Sequence, residues 1–88
     1  MTNNEILNQT TGTTGRYNPM FRELGLGLIR TWVKGGDDLI LLEELYRTFR
    51  ITDLGGNQAN GIQWAVADAK KANLIEATEI RGCYRVIA

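Results

Sequence analysis

From Asn18 onward the apolar residues fall at helical spacing, then in a continuous run, then at helical spacing again, and finally in alternation. Phe21, Leu24, Leu28 and Trp32 repeat every three or four residues, and Leu26, Ile29 and Val33 widen the arc. This spacing predicts a helix from Pro19 to about Lys34, packed on two sides, with Arg22, Glu23, Arg30 and Lys34 left for solvent. Asn18-Pro19 supplies its start, a capping side chain followed by a residue whose missing N–H has no intrahelical partner anyway. Gly35-Gly36 supplies its stop. Gly25 and Gly27 each cost about 1 kcal/mol relative to alanine inside a helix, a cost understandable where another backbone approaches closely. A second helix is expected over Leu39 to Phe49, its acids Asp37-Asp38 at the positive end, burying Leu42, Leu45, Tyr46 and Phe49 and exposing Glu43, Glu44 and Arg47. The apolar run Leu39 to Leu41 carries no period of its own, so a short strand before a shorter helix is the alternative.

After the break Thr52-Asp53-Leu54-Gly55-Gly56, a third helix places Ala59, Ile62, Val66 and Ala69 on one side, flanked by Ala65 and Ala72. Asn60, Gln63, Trp64, Ala67 and Lys71 then point away, with Trp64 near the middle of the outward face. Its core side is small and flat, suited to lying close against the first two helices. Asn73 ends it, and LIEATEIRGCYRVIA reads as a hairpin about Arg81-Gly82. Pairing Ile80 with Cys83 sets Thr78 opposite Arg85 and Glu76 opposite Ile87 on a mostly polar face, and Ile75, Ala77, Tyr84 and Val86 on an apolar one. Arg81 is a poor first central residue for a two-residue turn, so a longer loop from Glu79 to Gly82 stays open. Residues 1–17, rich in Thr, Asn and Gly, offer only Ile6 and Leu7 as anchors and read as a flexible tail. The alternative is an arm that orders on a partner through Arg16 and Tyr17.

The order of three helices and a hairpin resembles the winged helix-turn-helix superfamily over residues 18–88. LLEELYRTF is similar to its second helix, and GIQWAVADAKKANLIEATEIRGCYRVI to its recognition helix, Leu-Ile junction and wing. The expected fold is α+β, a three-helix core followed by a C-terminal two-stranded wing, after the tail. The resemblance implies double-stranded DNA as partner, with the third helix in the major groove. Asn60 and Gln63 would then read base edges, since an amide matches adenine's paired donor and acceptor. Lys70, Lys71, Arg81 and Arg85 would hold phosphates. Asn57 or Asn60 has the competing role of capping the helix, and the lysines that of ordinary solvated charges.

Composition tempers this picture. The 88 residues make one domain, and ten Lys+Arg balance ten Asp+Glu, so no global field draws the chain to nucleic acid or membrane. From Asn57 to Ala88, four basic residues face Asp68, Glu76 and Glu79, a net charge of +1. A homodimer reading two half-sites would offset so weak a basic surface. One cysteine, no histidine, no span-length apolar run and no signal-peptide pattern favour a cytoplasmic chain without a structural zinc. Catalysis lacks support: no histidine serves as base, Cys83 has no evident activating partner, and GGNQANG lacks the Lys-Ser/Thr ending of a phosphate loop. No cofactor is implied. Trp64 has three readings: core, by a different helix phase or by packing under the wing, anchor of a protein interface, or contact to sugar or a thymine methyl. Two function classes follow, a DNA-binding winged helix acting as repressor or accessory factor, and a winged helix that docks a protein partner or a second copy.

Overall fold

The computed structural model describes residues 16–88, in which three helices pack with a small antiparallel sheet. The tail reading for residues 1–15 lies outside the described residues. Helix α1 spans Pro19–Lys34. It begins as its sequence dictates, the Asn18 side chain accepting the Met20 N–H at 2.9 Å ahead of Pro19. The apolar run that follows divides into strand β1 (Leu39–Leu41) and helix α2 (Leu42–Thr48). Ile40 is fully buried while Leu39 is exposed, and the run pairs antiparallel with residues 83–85 as only a strand can. The expected Leu39 to Phe49 helix is therefore shorter by its first turn. The free Leu42 N–H that results is satisfied by the Gly82 carbonyl at 2.8 Å, and Glu43 and Glu44 occupy the first turn.

Helix α3 (Asn57–Lys71) buries Ala59, Gly61, Ile62, Ala65, Val66 and Ala69, the small flat side its sequence predicts. That side lies against α1 at very short range. A Cβ added at Gly25 would stand 2.8 Å from the Ala65 Cβ, and one added at Gly61 would stand 2.7 Å from the Asn18 carbonyl oxygen. The two glycines let the two backbones meet. The predicted close approach thus holds at Gly25 and fails at Gly27, which is exposed and would meet nothing within 4 Å among the described residues.

All three helices end alike, with a left-handed residue that lets the next N–H reach back to the final turn. Gly36, Arg50 and Asn73 take φ of 92°, 56° and 62°. The following residues Asp37, Ile51 and Leu74 donate to the carbonyls of Trp32, Tyr46 and Ala69. The reversal after α3 sends the chain straight into the sheet.

Strands β2 (Ile75–Ala77) and β3 (Cys83–Val86) form the hairpin, and β1 adds to its other edge in the order β1-β3-β2. Ile40, Ile75, Tyr84 and Val86 share the inner face, completing a core with Ile29, Leu45, Ile51, Ile62 and Val66. The expected faces hold; the expected register does not. Ile75 pairs with Val86 and Glu76 with Arg85, two residues away from the pairing Glu76 with Ile87. The cause lies at the turn. Gly82 is left-handed with φ 79° and Arg81 is not, so Cys83 N–H bonding to the Ile80 carbonyl closes a turn of type II character. Such a turn does not match strand twist as a two-residue hairpin requires. The loop therefore lengthens to Glu79–Gly82, braced by the Thr78 hydroxyl, which accepts the Ile80 N–H and donates to the Cys83 carbonyl.

Candidate nucleic-acid interface

Outward from the core, α3 carries Asn60, Gln63, Trp64, Ala67 and Lys71, as its phase predicts, but much of this face is occupied by the protein itself. Trp64 sits toward the edge next to α1 and is half-buried. The Tyr17 ring packs on it at a centroid distance of 5.4 Å, and the Arg22 guanidinium lies 4.6 Å above its indole. Its indole nitrogen is buried and has no hydrogen-bond partner among the described residues. Trp64 is covered by the start of α1 rather than by the wing, and it does not stand free in the middle of the outward face as its phase alone implied.

Arg22, expected in solvent, is the centre of this cover. Its Nε and Nη2 donate to the two carboxylate oxygens of Asp68 at 2.7 and 2.8 Å, and Nη1 donates to the Tyr17 hydroxyl at 3.0 Å. The paired fork is the strong geometry for such a contact, and the carboxylate raises the guanidinium pKa further, holding it charged. Charge spacing in the sequence cannot announce a partner 46 residues away.

The two amides assigned to base edges are engaged. Asn60 donates to the Arg16 carbonyl at 2.9 Å, and Gln63 donates to the Tyr46 hydroxyl at 2.9 Å, bracing α3 against α2. Neither Asn57 nor Asn60 caps α3, whose N-cap is Gly56 without a side-chain bond. The Asn57 carbonyl instead accepts the Asn18 N–H at 3.0 Å, and the Asn57 side chain is exposed next to exposed Gln58.

At the other end of α3, Lys70 and Lys71 are exposed, with the Lys70 ammonium 5.8 Å from the Tyr84 ring centre. Burial raises the Tyr84 and Tyr46 hydroxyl pKa values above their usual value of 10.0, and the Gln63 hydrogen bond opposes the shift at Tyr46. Arg81 is exposed at the hairpin tip, and Arg85 pairs with Glu76 across the strands. Two of the three acids that weaken the basic surface are thus held by arginines, Asp68 by Arg22 and Glu76 by Arg85. Lys70, Lys71 and Arg81 remain unpaired by any acid among the described residues. The signal that sequence reasoning missed was Tyr17 and Arg22, an aromatic and a base five residues apart facing the Trp64-Asp68 pair.

No helix among the described residues is long and apolar enough to cross a membrane. No known family model matches the chain, and no curated protein or solved structure is significantly similar to it.

Proposed function

We propose that the chain is a small DNA-binding winged-helix module, acting without a cofactor as a repressor or accessory DNA-binding factor. The helix and strand order, with β1 joining the hairpin at β3, is compatible with that fold. The observation that carries the reading is the disposition of charge on α3 and the hairpin. Asp68 and Glu76 are neutralised by ion pairs, leaving Lys70, Lys71 and Arg81 as exposed cations against Glu79. Phosphate attraction is a local effect, so this arrangement outweighs the zero net charge of the whole chain. Among the residues assigned from sequence, Lys70, Lys71 and Arg81 carry phosphate contact. Asn57 and its neighbour Gln58, exposed on the first turn of α3, replace the engaged Asn60 and Gln63 as the groove-reading amides. Trp64 and Arg85 hold the surface in shape.

Titration of the full chain against a fluorescent duplex at two salt concentrations tests this. Binding that weakens steeply as salt rises is expected. No binding at low salt removes the proposal. The second reading, docking of a protein partner, draws on the exposed Met20 and Leu24 of α1 and no longer on Trp64.

A further inference from the structure

Gly27 is the α1 residue that the fold of one protomer does not explain. A side chain there would meet nothing within 4 Å among the described residues, so the helix-weakening glycine gains no close approach from them in return. Around it, Met20 is 58% and Leu24 46% exposed. The Thr31 hydroxyl is already satisfied by the Gly27 carbonyl at 2.9 Å and needs no partner. At helical spacing Met20, Leu24, Gly27 and Thr31 form one uncharged stripe. Glu23, Arg30 and Lys34 border it along a single flank and make no ion pair among the described residues.

We propose that this stripe is the interface with a second copy of the chain, α1 packing antiparallel on α1 about a two-fold axis at Gly27. The flanking charges choose both the occupant and the direction. Glu23 precedes Gly27 by four residues and Arg30 follows it by three, on the same flank. An antiparallel pair centred there sets Glu23 against the partner's Arg30, and two-fold symmetry makes the contact twice. A parallel pair would carry this flank to opposite sides of the interface, so Glu23 and Arg30 would not meet across it. Gly27 then does between copies what Gly25 does within one, admitting a second backbone. This pairing stands independently of DNA binding.

Sedimentation of the full chain over a concentration series, with variants at the stripe and its flank, tests the interface. Wild type is expected to associate to a dimer, and Leu24→Glu to abolish association. Glu23→Arg and Arg30→Glu alone should each weaken it roughly tenfold, because two attractions become two repulsions. The double variant Glu23→Arg/Arg30→Glu should return to within about twofold of wild type. Should Leu24→Glu lose its helical circular dichroism, the charge reversals at these exposed positions decide alone. A wild-type chain monomeric at every concentration, or a double variant that shows no rescue, overturns the proposal.

Discussion

The two sides of α1 use the same residue to opposite effect. On the inner side, Gly25 lies where a Cβ would strike Ala65, and Gly61 of α3 answers it against the Asn18 carbonyl. On the outer side, two residues on, Gly27 faces open space between exposed apolar residues. Both glycines weaken the helix by about the same 1 kcal/mol. Only the inner one is repaid within the protomer, by a helix–helix contact that buries Ile29 and Ile62 completely. A glycine therefore says that a backbone could come close, and the structure alone says whether one does.

Gly61 is where α1 and α3 leave the least room. Gly61→Ala forces a methyl group against a backbone carbonyl that side-chain motion cannot relieve. We expect a loss of about 2–3 kcal/mol in urea unfolding, in the range for overpacked cores. A loss below about 0.5 kcal/mol, no more than an inert surface change gives, would mean that α1 and α3 do not meet there.

Next comes the clasp that closes the inner contact at its N-terminal end. Trp64→Ala removes the surface on which Tyr17 and Arg22 lie, and about 2 kcal/mol should be lost, less than for a fully buried tryptophan. A tryptophan serving only as a free interface anchor would leave the unfolding midpoint unchanged.

Gly27→Ala sharpens the contrast with the opposite sign. At concentrations low enough to keep the chain monomeric, about 1 kcal/mol of stability should be gained, since no clash offsets the better helix propensity. Destabilisation there would place Gly27 in an internal contact.

The smallest effect concerns pH and comes from Tyr46 of α2 and Tyr84 of β3. Tyr46 and Tyr84 have raised pKa values in the folded state, chiefly through burial. The fold thus favours their neutral forms. This stabilisation is fully present below the unfolded value of about 10 and is lost as pH rises through the folded values. The unfolding midpoint should fall as pH rises above about 10, and less steeply once Tyr46 and Tyr84 are both replaced by Phe.

Local chemistry made much of the fold readable. Asn18-Pro19 and Gly35-Gly36 mark α1, the spacing Ala59-Ile62-Val66-Ala69 gives the phase of α3, and alternation assigns the faces of the hairpin. What stayed hidden was settled by distant partners. Leu39 to Leu41 has no period, and its pairing with Cys83 to Arg85 makes it a strand. Arg81 keeps the longer Glu79–Gly82 loop open as an alternative, but only its negative φ decides the hairpin register. The candidate surface was readable at Lys70, Lys71 and Arg81, whose exposure follows from the phase of α3 and the turn. It was not readable at Arg22, Asn60 and Gln63, whose polar groups meet partners from other elements.

The functional claim rests on the cations of α3 and the hairpin tip, and the salt slope of duplex binding counts them most directly. In a titration of the full chain over several salt concentrations, Lys71→Ala should weaken binding and lower the slope of log affinity against log salt by about one. A Lys71→Ala chain whose affinity and slope equal those of wild type would contradict it.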